Sequence, residues 1–149
     1  MEKTTNAPSK PMQCPACKQF HVETTIETDT FIYGIGLEAV DLTVTIPVRI
    51  CSDCGRRFTD EVAEYVEHEA VCQHLGVMTP KEISTIRNGY NISQATLSEF
   101  MCIDEELLAC WENGELIQNA AIDNLLYLLT FPENLERLKT RYANPIILK

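Results

Sequence analysis

Two cysteine pairs carry the most chemical information in this chain: Cys14 and Cys17 in Cys-Pro-Ala-Cys, and Cys51 and Cys54 in Cys-Ser-Asp-Cys-Gly. Each Cys-x-x-Cys turn presents two thiolates from one tight loop. Two such turns separated by a hairpin supply the four soft ligands that a tetrahedral Zn²⁺ prefers. Four protein sulfurs leave no open coordination position, so one structural Zn²⁺ is expected and a catalytic one is not. A thioredoxin-like dithiol at Cys14/Cys17 would lack the surrounding βαβ pattern and would leave the second pair unexplained. His21 reads as a surface strand residue and not as a ligand. Cys72, Cys102 and Cys110 read as small buried or half-buried thiols, and Cys72-Gln73-His74 is too sparse for a second metal site.

The elements that must position these cysteines are legible in the pattern. Phe20 to Tyr33, rich in Thr, Val and Ile, reads as a strand, and Gly34-Ile35-Gly36 supplies a turn. From Val40 to Ile50 six apolar residues alternate with Asp41, Thr43, Thr45, Pro47 and Arg49, the period-two signature of a half-buried strand. Pro47 has no N–H to donate, so this strand is expected at a sheet edge or bulged there. Thr59 to Leu75, closed by Gly76, reads as a connector helix capped by Thr59 or Asp60, with Val62, Tyr65, Val66 and Ala70 on one face. Thr79-Pro80-Lys81-Glu82 matches a capping box with proline at the first helical position. Short helices then follow over roughly 80–90, 93–101, 104–113, 119–130 and 132–142. Ile122, Leu125, Leu126, Leu129, Phe131, Leu135 and Leu138 form an apolar stripe across the last two.

The totals bound the function. The chain has 149 residues and a formal net charge of −10, enough for two small domains and opposed to non-specific nucleic-acid binding. Residues 1–78 hold 12 acids against 6 bases, and residues 79–149 hold 10 against 6, so neither half is basic. No apolar run approaches a membrane span, and Met1 to Asn6 lacks the apolar core of a signal peptide. Seven cysteines in that setting fit metal ligands and free thiols in a reducing cytoplasm, with no membrane involvement. No Gly-rich phosphate loop or paired His/carboxylate motif occurs, and His21, His68 and His74 form no recognisable triad, so no enzyme is expected.

Ser93-Gln94-Ala95-Thr96-Leu97 and Trp111-Glu112-Asn113-Gly114 give residues 79–142 a resemblance to the lambda-repressor-like (XRE-type) helix-turn-helix domain. With the zinc module ahead of it, the chain over about residues 12–142 resembles the MqsA-type (YgiT-like) antitoxins. The resemblance implies an α+β protein: a disordered tail (1–12), a zinc-bound β-hairpin ribbon (13–58), a connector helix (59–78) and a five-helix all-α domain (79–149). It places Ile83, Ile86, Ile92, Leu97, Met101, Ile103, Leu108 and Trp111 in the core, pairs Arg87 with Glu112, and puts Asn91 at a left-handed helix end. It also implies a homodimer through the C-terminal helices, a cognate toxin or other protein held by the ribbon, and promoter DNA read by the third helix of the domain.

The reading positions under that resemblance are Ser93, Gln94, Glu105, Glu106, Cys110 and Asn113. Carboxylates at a groove entrance face two phosphate strands, and the following loop, Glu115 to Asn119, has no cation. Asp104-Glu105-Glu106 is also ordinary helix chemistry, a cap followed by acids that complement the dipole. Cys102 stands where a glycine is common in the turn, so a modified turn is expected. Two functions therefore follow: an antitoxin-like transcriptional regulator, or a protein-interaction adaptor whose acidic helix-turn-helix has lost DNA.

Overall fold

The computed structural model describes residues 10–143 and has a three-stranded antiparallel sheet followed by six α-helices. The expected disordered tail falls mostly outside the described residues. The chain divides between Glu67 and His68 into two compact units. Among the described residues no helix is long and apolar enough to cross a membrane.

In the first unit, β1 (Val22–Tyr33) and β2 (Val40–Cys51) form a hairpin in continuous register from Val22↔Cys51 to Tyr33↔Val40. The turn between them uses Gly34 at φ 95°, where an added Cβ would meet the Glu38 carbonyl oxygen at 3.0 Å. A two-residue β3 (Arg57–Phe58), unanticipated because it is so short, pairs Arg49 and Ile50 on the other side of β2. The sheet order is thus β1-β2-β3, with β2 central, but only Arg49 and Ile50 of β2 pair with β3, so at Pro47 the strand has the open flank expected of an edge. No bulge interrupts the pairing there, and Pro47 stands in register with Ile26. Proline is tolerated because β3 stops short of it, leaving β2 one paired flank at that position. The long edge is β1. Paired residues share a face, so buried Val44, Ile46 and Val48 lie beside Asp29, Glu27 and Thr25, and β1 adds no fully buried residue.

α1 (Glu61–Leu75) is capped by Asp60, whose Oδ1 accepts from Val62 N at 3.2 Å. The same carboxylate receives Arg49 Nε at 2.9 Å, tying β2 to the start of the helix. The expected face of α1 is corrected: Val62 is exposed, while Ala63, Val71 and Cys72 are the buried positions. Apolar residues stand on several sides of this helix, so periodicity does not single one out.

The second unit contains α2 (Pro80–Gly89), α3 (Gln94–Met101), α4 (Glu105–Asn113), α5 (Ala120–Leu129) and α6 (Pro132–Ala143). Thr79, Ser93, Asp104 and Asn119 each accept a backbone N–H as N-cap, and Thr79 with Glu82 completes a reciprocal capping box. α1, α2 and α4 end in the same device as α3: a left-handed residue followed by one whose N–H reaches back to the last turn. The left-handed residues are Gly76, Asn91, Cys102 and Gly114, and the reaching bonds are Val77 to Cys72, Ile92 to Arg87, Ile103 to Ser98, and Glu115 to Cys110. All eight apolar positions placed in the core by the resemblance lie in or against one cluster built on Ile83, Leu97, Leu108, Leu126, Leu129 and Leu135. Phe131 is the exception in the C-terminal stripe. It is exposed and meets Tyr127 edge-on at 5.7 Å, because it falls in the break between α5 and α6.

Cys102 is exposed, not buried, and adopts φ 55°, ψ 45°. The turn therefore keeps the left-handed conformation a glycine would take, at a cost of about 1–2 kcal/mol for an L side chain. Replacing Cys102 with Gly relieves that strain but loosens the unfolded chain by about 0.4–1 kcal/mol. The strain is larger, so Cys102→Gly should raise the midpoint of thermal unfolding by a few degrees; a lowered midpoint would mean the turn tolerates the side chain freely.

Candidate functional site

The two cysteine turns are built alike. Cys14 N donates to the Gln19 carbonyl (2.8 Å) and Lys18 N to the Cys14 carbonyl (3.0 Å). In the second turn Cys51 N donates to Arg56 (2.9 Å) and Gly55 N to Cys51 (2.8 Å). The fourth residue after the first cysteine is left-handed in both, Lys18 at φ 64° and Gly55 at φ 72°. Each turn thus points two sulfurs to one side, and β1–β2 pairing brings the turns together through Val22↔Cys51. Ser52 donates twice to the His21 carbonyl, and His21 Nδ1 lies 2.8 Å from Asp53, clasping the second turn to the start of β1. His21 is therefore a clasp beside the cluster and not one of its four ligands.

The ligand atoms of Cys14, Cys17, Cys51 and Cys54 all lie within 4.8 Å of one another. Cys14 and Cys54 sulfurs are 3.7 Å apart, and those of Cys17 and Cys51 3.5 Å. A tetrahedral ion with metal–sulfur bonds of about 2.3 Å requires sulfur separations of about 3.8 Å. Both of these separations lie close to that value, so the four sulfurs are placed where they could hold one metal ion. The electrostatics of the cluster ask for one. The Cys17 N–H, with burial opposing it, holds the Cys14 thiol down at about 7. The Gln19 N–H favours the Cys17 thiolate, yet burial and the sulfurs of Cys51, Cys54 and Cys14 push that thiol up to about 12. Four thiolates in this space need a cation among them.

Among the described residues no such cluster surrounds the other cysteines. Cys72 is fully buried, and burial with the charges of Glu69, Asp123 and Glu82 pushes its thiol up to about 11. Cys110 is half-buried, its thiol raised by burial and by Glu115, which it approaches at 3.6 Å.

The second candidate surface is the α3–α4 pair, joined by Cys102, Ile103 and Asp104. Arg87 of α2 grips Glu112 of α4 through two bonds, Nε–Oε1 at 2.8 Å and Nη2–Oε2 at 3.0 Å. Arg87 Nη1 also caps the Ile92 carbonyl at 3.1 Å. Gln94 Nε2 donates to Glu112 Oε2 at 2.6 Å, so its amide N–H group serves this clasp. Ser93 caps α3 through Thr96 N. Glu105, Glu106 and Asn113 are exposed, and Asp104 is spent as the cap of α4. The Glu115–Asn119 loop hides a structural residue that composition does not reveal. Gln118 is buried, and its Nε2 donates to the Met78 carbonyl (2.8 Å) and to Asp123 Oδ1 (3.0 Å), which also receives Met78 N (2.8 Å). Comparisons with protein families, curated proteins and solved structures find no match to this chain.

Proposed function

We propose that this chain is a non-catalytic, zinc-containing, antitoxin-like transcriptional regulator: its ribbon carries a structural Zn²⁺ and holds a protein partner, and a dimer of its helical unit presents α3 and α4 to promoter DNA. The observation that carries the reading is the α3–α4 pair itself. Two short helices joined by three residues are fixed to α2 by the Arg87–Glu112 clasp, with the first turn of α4 left exposed. That is the way a helix-turn-helix offers its second helix to a groove. Zinc is the ion favoured by four thiolates at these separations.

The ribbon offers a place for the partner. β1 is twelve residues long and forms one edge of the sheet, with no further strand beside it among the described residues. Ile26 and Ile32 are exposed on its one face, and Ile35 and Leu37 are exposed at the hairpin tip. An added strand could take the free backbone groups while its side chains cover those residues. A basic partner would complement the acidic chain. Exposed Tyr127, Leu128 and Phe131 give the C-terminal end an apolar patch for the two-fold contact.

The adaptor reading keeps one specific support: Glu105 and Glu106 are exposed at the start of α4, and Gln94 is turned inward to Glu112. Titration with the sequence upstream of the reading frame at low salt, where phosphate contacts are strongest, separates the two. Replacing Glu105 and Glu106 together by Gln removes two negative charges that would face phosphate. It should strengthen binding about tenfold at low salt and less at high salt. Absence of binding by both proteins at low salt would remove DNA from the proposal and leave the adaptor.

A further inference from the structure

The helical unit has a cleft of about 530 Å³ lined by Phe100, Met101, Cys102, Leu125, Leu138, Arg141 and Tyr142. We infer that it is a binding site for a small amphipathic carboxylate, its apolar body seated between α3, α5 and α6 and its carboxylate held by Arg141.

The lining defines the ligand class. Phe100, Leu125 and Leu138 pack against the core yet remain half exposed, so their outer surfaces line an apolar wall left open among the described residues. Phe100 and Tyr142 meet edge-on at 6.0 Å and brace α3 against α6 at one side of the cleft. The volume is that of small-molecule sites, which combine apolar walls with a few polar groups. Here the charged group is Arg141, which makes no ion pair among the described residues in a chain where acids outnumber bases 22 to 12. A cation in the last turn of α6 suits the helix dipole. The dipole accounts for the charge but not for the apolar hollow beside it. An unpaired guanidinium at such a hollow complements an anion with an apolar body, and its planar fork suits a carboxylate. Met101 ends α3 and Cys102 opens the turn that leads into α4, and both line the cleft, so occupancy is readable at that turn.

The test uses the metal-loaded full chain titrated with decanoate below its micelle concentration, and with decanol as the uncharged counterpart. Decanoate should bind saturably, one per chain, about tenfold more tightly than decanol. Arg141→Gln, at an exposed position, should abolish that preference while leaving decanol binding and Trp111 emission unchanged. Saturation should also slow alkylation of exposed Cys102 severalfold relative to Cys110, read by mass spectrometry. Equal binding of acid and alcohol, a preference that survives Arg141→Gln, or Cys102 alkylation indifferent to decanoate overturns the inference. So does decanoate binding that appears only when Ile146, Ile147 and Leu148 are replaced by Ser, which would make the terminal segment the occupant. A dimer that dissociates on Arg141→Gln, with no decanoate bound, would assign the cleft to a second copy and overturn it as well.

Discussion

Removing the metal should unfold the ribbon and leave the helical unit standing. The first unit has little else to hold it: Val44, Ile46 and Val48 are its buried strand residues besides the cysteines, and β1 contributes no fully buried side chain. A core that small is far below what an independent domain of this length needs. Small zinc modules draw about 10–16 kcal/mol from their ion at neutral pH, and a metal held by these four cysteines would likewise contribute its binding free energy to folding. The ion also displaces protons, most of all from Cys17, whose thiol otherwise stays protonated up to about 12. Metal affinity should therefore fall as pH falls. The two units can be watched separately. Trp111 is the only tryptophan and is buried in the helical core, while both long strands lie in the ribbon. On chelation the strand signal in far-ultraviolet dichroism should vanish and the thiols of Cys14, Cys17, Cys51 and Cys54 should become reactive. Trp111 emission should not move. Strand signal persisting in protein shown to be metal-free would sink the prediction.

The readable parts of this chain were those set by local chemistry. Caps at Thr79 and Asp104 and helix ends at Gly76 and Asn91 mark boundaries with one or two residues each. The four cysteines were legible because a metal site needs ligand type and spacing, both of which are written in order along the chain. What stayed hidden depended on non-local partners. The missing N–H of Pro47 points to an edge or a bulge without saying which. The extent of β3, 10 residues downstream of it, decides how many flanks β2 presents there. Gln118 looked like a loop residue because its partners, Met78 and Asp123, come from elsewhere in the unit. Gln94 illustrates the same limit at the candidate DNA surface. Its position suggested an outward contact, and only the approach of Glu112 from α4 turns its amide inward. Cys102 shows a subtler case: a residue that departs from the usual glycine kept the glycine's conformation, so the turn changed in strain and not in shape.

Breaking the Arg87–Glu112 clasp from one side should cost more than removing it whole. Glu112 is the more enclosed partner, with 5% of its side chain exposed against 19% for Arg87. Arg87→Met would strand a carboxylate with little beyond the Gln94 amide to satisfy it, and would also uncap the Ile92 carbonyl. Losing one partner of an enclosed pair costs about 3–5 kcal/mol, so about 3 kcal/mol is expected for this partly open one. Glu112→Gln should cost about half as much, because the guanidinium can swing its charge to water along its flexible stem. The double variant Arg87→Met, Glu112→Leu replaces both charges by apolar volume beside Trp111 and Leu108 and should recover most of the loss. Urea unfolding followed by Trp111 emission measures all three, and with Glu112→Leu alone added to close the double-mutant cycle the coupling should be about 3 kcal/mol. Single variants that each cost under about 0.5 kcal/mol would put the pair in the class of surface salt bridges. The rigidity of α2 against α4 would then rest on Ile83, Leu97 and Leu108 alone. The same series bears on function. Glu112 anchors α4 and occupies Gln94, and Glu112→Gln leaves one amide oxygen to accept from both Arg87 and Gln94, so it loosens the hold on the Gln94 amide while the core stays packed. If α3 and α4 meet DNA, that variant should change affinity at low salt when measured well below its lowered unfolding midpoint. An adaptor surface built on Glu105 and Glu106 would not register it.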